Sequence, residues 1–458
     1  MTSTAGPEQF TLTARVAWVE PEGSGGVAAL ARDPMITVDK STGSIVAIDD
    51  AREPEPGELV YDLGHSLLVP GMVNAHSHAF QRGIRGATHR RQRADPSSFW
   101  SWREAMYAAA NALDPEGVYA ITRDCFAEML ARGITCVGEF HYLHHQADGQ
   151  PYADANELSK QVIRAADEVG LRLCLLEVYY ARAGVGHDGP LPEQRRFCDG
   201  SVDRYLARVD GLRELAQSRR EHRAQTLSVG VTPHSVRAVR APELAELAAY
   251  AHAHELVLHS HVSEQPLENT QCREEHGRSP LRVFADAGFM TRPGAFTAVH
   301  AIHIDEPDFA LMADQNICVC PTTEADLGDG IVPATRWREA GATLALGSDS
   351  NAIIDLVTEA RSLELHERLR RQARLCLRDE RGHVAPVLAA AVTTGGAAAL
   401  GRPELGRLAV GSPFDAACFD LDHWLLRGVD PDLAVDALLL AGRAEAITQV
   451  WVGGRRRR

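Results

Sequence analysis

The 458-residue chain is predicted to be an α/β protein, a (β/α)8 TIM-like barrel with a small β-sandwich domain formed from both chain termini. Three observations predict this fold. β-like segments with Gly and Pro punctuation occupy both ends, short apolar runs alternate with amphipathic stretches between them, and eight such runs can be counted.

The N-terminal part of the sandwich is placed at residues 1–66. "FTLTARVAWVE" alternates Phe10, Leu12, Ala14, Val16 and Trp18, and "MITVDKSTGSIVAIDD" has the pattern of a hairpin turning at Gly43. The barrel is placed at residues 67–400, with strands at Leu67–Asn74, Ile134–Phe140, Leu171–Tyr179, Leu227–Thr232, Leu256–Ser260, Ala295–Val299, Ile317–Cys320 and Thr343–Gly347. Helical signals separate them. "DPEGVYAITRDCFAEMLARG" offers Asp114 as N-cap, Pro115 in the first turn, Gly133 as stop and a stripe of Val118, Ile121, Cys125 and Met129. Residues 401–458 return to short strands, "GRLAVGSPFDAACFDLD" from Gly406 and "AITQVWVGGR" from Ala446, and supply the C-terminal part of the sandwich.

Composition narrows the function classes. The hydrophobic fraction of 45% and charged fraction of 24% are those of a soluble globular chain. A formal net charge of −15 argues against nucleic acid and anionic membrane as partners, and the basic tail Arg455 to Arg458 is too short to reverse it. There is no basic region followed by an apolar one at the N-terminus and no long uncharged apolar run, so a cytoplasmic location is expected. Nine cysteines without a C-x-x-C pair indicate neither a disulfide framework nor a structural zinc cluster, and Cys318 and Cys320 are expected to pack in a strand. No phosphate loop or nucleophile elbow is present.

The chemistry lies in "VNAHSHAF". Among 20 histidines an isolated H-x-H is cheap, but on a strand the alternation of side chains puts His76 and His78 on one face. The residues just beyond the other strands decide the matter: "HSHVSE" brings His259, His261 and Glu264 after strand five, "AVHAIH" brings His300 after strand six, and "GSDS" brings Asp349 after strand eight. The C-terminal strand ends of a barrel share one rim, so His76, His78, His261 and Asp349 form a candidate ligand set for one zinc ion per chain. Fe2+ or Mn2+ suits similar donors.

"VPGMVNAHSHAFQR", "HVSE", "VHAIH" and "GSDS" resemble the amidohydrolase superfamily, and the terminal β segments resemble its split sandwich domain. Many members bridge two metals through a carboxylated lysine at strand four. Here only Lys40 and Lys160 exist, neither at a predicted strand end, so the resemblance implies a mononuclear, deaminase-like site. It implies Glu264, His300 and Asp349 as catalytic, with Glu264 moving protons and His300 orienting the nucleophile.

"HSHAFQRGIRG", "SFWSWREAMY", "GEFHYLHH", "GQPYADANELS", "TPHSVRAV" and "TTEADLGDGIVPAT" resemble the formimidoylglutamate deiminases of histidine degradation over nearly the whole chain. Two positions depart or vary: Asp326, near the expected pocket rim, stands where asparagine is usual, and Asn351 occupies a variable position. The implied substrate, N-formimidoyl-L-glutamate, is a small-molecule dicarboxylate amidine, which suits arginine's planar fork. The resemblance assigns binding to Gln81, Arg103, Tyr142, His234 and Arg237, and implies a homodimer. Read without the family, Arg103 beside Trp100 and Trp102 is better explained as a surface arginine stacked on an aromatic ring. The remaining histidines of "HYLHH" are read as loop residues, and His252, His254 and His259 as structural. Two rivals remain, a purine or pyrimidine deaminase of the same superfamily and a non-catalytic amidohydrolase-like scaffold.

Overall fold

The computed structural model describes residues 8–89, 99–220 and 226–458, with the side chains of 99–101 and 220 outside that description, Trp100 among them. Eight parallel strands form one sheet in chain order: β1 (Met72–Ser77), β2 (Ile134–His141), β3 (Arg172–Tyr179), β4 (Leu227–Pro233), β5 (Leu258–Val262), β6 (Phe296–His300), β7 (Asn316–Val319) and β8 (Thr343–Leu346). A parallel bridge between Ser77 and Asp349 closes β1 on β8. The strands are buried almost throughout, as expected where helices cover a parallel sheet. The helix Pro115–Ala131 shows why the sequence signals were readable: the Asp114 carboxylate accepts from the Gly117 amide, and Val118, Cys125 and Met129 face the core while Gly133 ends the turn at φ 79°.

The chain ends form two further sheets. Ile45–Asp49, Met35–Asp39, Gln9–Thr13 and Val60–Asp62 make one. Arg455–Arg456, Ile447–Val452, Ala416–Asp420, Ser66–Pro70, Val16–Val19 and Ala29–Arg32 make the other. Phe10 and Trp451, from opposite ends of the sequence, stack at 5.6 Å in the core between them.

One predicted strand is two. The apolar run Leu67–Asn74 divides at Pro70 and Gly71: Ser66–Pro70 pairs with Ala416–Asp420 in the terminal sheet, and only from Met72 does the chain join the barrel. Gly71 allows the passage because a Cβ there would lie 2.2 Å from the Thr135 hydroxyl oxygen. An apolar run reports burial and not which sheet receives it.

Candidate metal centre and substrate pocket

His76 is the fifth residue of β1 and His78 follows the strand; His261 lies in β5, and Asp349 follows β8. All four are buried, and their ligating atoms all lie within 4.8 Å of one another. His76 Nε2 is 3.1 Å from His78 Nε2 and 3.2 Å from His261 Nε2, while Asp349 Oδ1 is 3.6 Å and 3.3 Å from the first two. Donors about 2.1 Å from a tetrahedral ion stand roughly 3.4 Å from each other, and these four separations bracket that edge length.

Backbone carbonyls set the tautomers. His78 Nδ1–H donates to Phe140 O at 3.0 Å and His261 Nδ1–H to His234 O at 3.1 Å, which leaves Nε2 of each ring bare toward the centre. Burial holds His78 neutral by lowering its pKa to about 3, and it depresses His76 and His261 in the same direction. Burial also pushes Asp349 up to about 7. Three neutral imidazoles and a buried carboxylate are a donor set that fits one divalent cation.

His300 ends β6 with φ 70°, and Asp349 has φ 44°, both in the left-handed region that side chains with a Cβ seldom adopt. His300 Nδ1–H donates to Glu324 Oε1 at 3.2 Å, which turns Nε2 toward Asp349 Oδ2, 3.7 Å away, and Glu264 Oε1, 3.9 Å away. Burial opposes a charge on this ring, but Glu324, Glu264 and Asp349 outweigh it and raise the pKa to about 10.

A pocket opens beside these groups, and Gln81, Arg103, Tyr142, His234 and Arg237 all line it together with Glu264 and His300. Gln81 Nε2 donates to the Tyr142 hydroxyl at 3.0 Å. The Arg103 guanidinium lies 5.7 Å from the Tyr107 ring centre. Arg237 is held at 2.8 Å by Glu264 and at 3.5 Å by Glu268.

Several features were not legible beforehand. Trp102, Tyr107, Tyr180 and Leu327 join the pocket wall, so aromatic surface is available where the sequence motifs emphasised cations. Glu324 lies within the string "TTEADLGDG", but its hold on His300 crosses from one strand end to the next. Asp326 does not itself line the pocket: it is exposed and pairs with His89 at 2.7 Å, while its neighbour Leu327 lines the pocket. His144 and His145 lie in the loop after β2 as expected, whereas His141 ends that strand, and all three are buried; His144 donates to Val178 O and His145 pairs with Asp199. His259 is structural as expected, with Nε2 on Ala399 O at 2.7 Å. Asn351, buried with φ 56°, donates to Ser77 Oγ and so ties the end of β8 to β1.

The sequence model of the amidohydrolase family matches residues 67–457. The chain belongs to the amidohydrolase family. It is 39% identical over 398 residues to formimidoylglutamate deiminase from Pseudomonas aeruginosa, covering 86% of this chain and 84% of that one. A 5-methylthioadenosine/S-adenosylhomocysteine deaminase from Natronomonas pharaonis is 30% identical, covering 92% and 87%. Among solved structures, an amidohydrolase from Brucella melitensis superposes with a TM-score of 0.86 at 34% identity, covering 98% of this chain and 94% of that chain. A zinc-bound adenosine deaminase from Xanthomonas campestris shares the fold with a TM-score of 0.79 at 23% identity, covering 98% and 93%. The chain is therefore a hydrolase acting on a C–N bond. No helix among the described residues is long and apolar enough to cross a membrane.

Proposed function

We propose that the protein hydrolyses N-formimidoyl-L-glutamate to N-formyl-L-glutamate and ammonia, with one zinc ion held by His76, His78, His261 and Asp349. The observation that carries the reading is a pocket in which two arginines stand beside that quartet. When bound, the ion supplies Lewis acidity that makes water a nucleophile near neutral pH. Lys160 sits on the helix Glu157–Val169 paired with Asp154, and Lys40 is exposed outside the barrel, so neither favours a bridged second ion of the carboxylated-lysine kind.

In this reading the side chains divide the work. Glu264 takes the proton of the attacking water and delivers it to the departing nitrogen, and His300, with Nε2 facing both Glu264 and Asp349, steadies charge at the amidine carbon. Arg103 and Arg237 grip the two carboxylates, while Gln81, Tyr142 and His234 complete the polar lining. The grip of Glu264 and Glu268 on Arg237 adds a feature: a substrate carboxylate arriving at Arg237 competes with Glu264 for the same guanidinium. The sandwich and barrel boundaries, the cytoplasmic location and a homodimer, checked by solution mass, belong to the same proposal.

The test crosses Arg103→Met and Arg237→Met with substrate analogues lacking one carboxylate. Each arginine lost should cost about 2–5 kcal/mol in kcat/KM with metal content unchanged, and little further when the matching carboxylate is already missing. Because Arg237 also holds Glu264, its variant should lower kcat as well, whereas Arg103→Met should act mainly through KM. Additive losses in every pairing would refute the assignment. The aromatic wall of Trp102, Tyr107 and Tyr180 favours one alternative, a purine-type deaminase, and ammonia release from a panel of purines and formimidoyl amino acids separates the two.

A further inference from the structure

Cys320 and Cys318 lie two residues apart and share the barrel interior with Ala75, Val299, Ala345 and Ala399. Of the two thiols in that small-residue layer, Cys320 is the one whose sulfur converges with Asp349 of the candidate metal centre. A Cβ added at Gly347 would lie 2.8 Å from His76 Cβ and 3.0 Å from Cys320 Sγ, which measures how closely the thiol approaches the floor of the site.

The thiol belongs to a second convergence of donors. Ligating atoms of His300, Cys320 and Asp349 all lie within 4.8 Å of one another, and all three residues are buried. Asp349 presents its two oxygens to different neighbours: Oδ1 faces His76 and His78, and Oδ2 faces His300 Nε2. A carboxylate divided in this way can serve two ions. Glu324 organises the new set, because its Oε1 accepts both His300 Nδ1–H at 3.2 Å and the Cys320 backbone N–H at 3.0 Å. The imidazole tautomer and the turn carrying the thiol are therefore fixed by one oxygen, the outer-shell arrangement that pre-orients ligands.

We propose that His300, Cys320 and Asp349 form a second divalent-cation site that favours thiophilic ions, shares Asp349 with the first site, and inhibits the enzyme when filled. A thiolate selects soft ions such as Cd2+, which the nitrogen and oxygen donors of the first quartet do not. Binding replaces the Cys320 S–H proton and the Nε2–H proton of the His300 imidazolium by the ion, and releases both protons to solvent. Inhibition follows because the ion takes His300 Nε2, the atom that faces Glu264. The inference rests on the proposed catalytic role of His300, but the binding itself does not.

The experiment titrates the purified holoenzyme, carrying its first metal, with Cd2+ alone, and follows metal stoichiometry, the ultraviolet thiolate-to-cadmium charge-transfer band and turnover. One additional equivalent should bind, the band should rise with it, and activity should fall by about 10²-fold or more, as expected when a group acting on protons or developing charge is removed. Cys320→Ser should keep its first metal, which also reports correct folding, and lose both the extra equivalent and the band. Cys376→Ser, at a partly exposed thiol remote from the quartet, should keep both. A band that survives in Cys320→Ser, or a second equivalent bound without any band, overturns the site; a full band with undiminished turnover overturns the inhibition. A holoenzyme with no first metal at all would instead refute the proposed function, and is visible before any Cd2+ is added.

Discussion

Two groups of buried histidines occupy the same barrel, and they are built on opposite principles. Around His144 and His145 the charges are matched within the protein: Arg208 grips both oxygens of Asp199 at 2.7 and 2.9 Å and also bonds Glu177, while Ser159 donates to Glu177 at 2.9 Å. Burial opposes ionisation of Asp199, but Arg208 outweighs it and keeps that carboxyl low. Around His76, His78 and His261 the Nε2 atoms face one another, those of His78 and His261 bare because Nδ1 of each carries the proton, with a carboxylate whose pKa burial has raised. The difference teaches that counting histidines says little. A cluster whose polar atoms turn outward to partners holds the fold, and one whose polar atoms turn inward on a common point awaits an ion.

The sharpest way to break the comparison is to remove one member of the inward-facing group. His261→Ala should abolish both metal content and turnover while the far-ultraviolet circular dichroism stays that of the native barrel. Retained metal at full occupancy would show that the quartet is not the site.

Glu264→Gln should retain the metal and lose about 10²–10⁴ in kcat, the outcome the proposed role of moving protons without holding the ion requires; near-normal kcat would reassign the proton transfer. In the outward-facing group Arg208→Met should leave Asp199 and Glu177 buried without their cation, costing about 3–5 kcal/mol of stability in denaturant unfolding. The protein that remains folded should bind metal normally, and a metal-depleted but fully stable variant would reverse the roles of the two clusters. Tyr142→Phe should be mildest. It deletes the acceptor for the Gln81 amide and should cost about 0.5–1.5 kcal/mol in kcat/KM, read against an unchanged metal content.

Much of this was legible in the chain because barrels convert sequence order into spatial order. Each apolar run ends at the same rim, so residues just beyond several runs had to meet, and His76, His78, His261, Asp349 and Glu264 were found that way. Partners across the rim were harder to read. The pairing of Arg237 with Glu264 and Glu268, and of His300 with Glu324, depends on loop conformation and side-chain direction, for which a single sequence carries no period. The break at Gly71 was hidden for a related reason: both halves of the run are buried, in different sheets. Asp326 was placed near the pocket rim by its motif, but on the short helix Pro321–Leu327 it pairs with His89 and its neighbour Leu327 is the one that lines the pocket.

The bridge that closes β1 on β8 carries one more consequence, for the order in which the molecule is assembled. Ser77 pairs with Asp349, the His78 amide donates to Asp349 O, the Asp349 amide donates to His76 O, and Asn74 binds Ser348 across a separation of 274 residues. Three of the four proposed ligands thus lie in or just beyond the two strands whose pairing spans the greatest sequence distance within the barrel sheet, and so the highest loop-closure entropy there. A nascent chain displays its H-x-H early yet owns no binding site until the final strand arrives. An ion bound by the proposed quartet would act as a clasp on the seam of the barrel, so amides flanking that seam should gain the most protection from hydrogen exchange when metal is added.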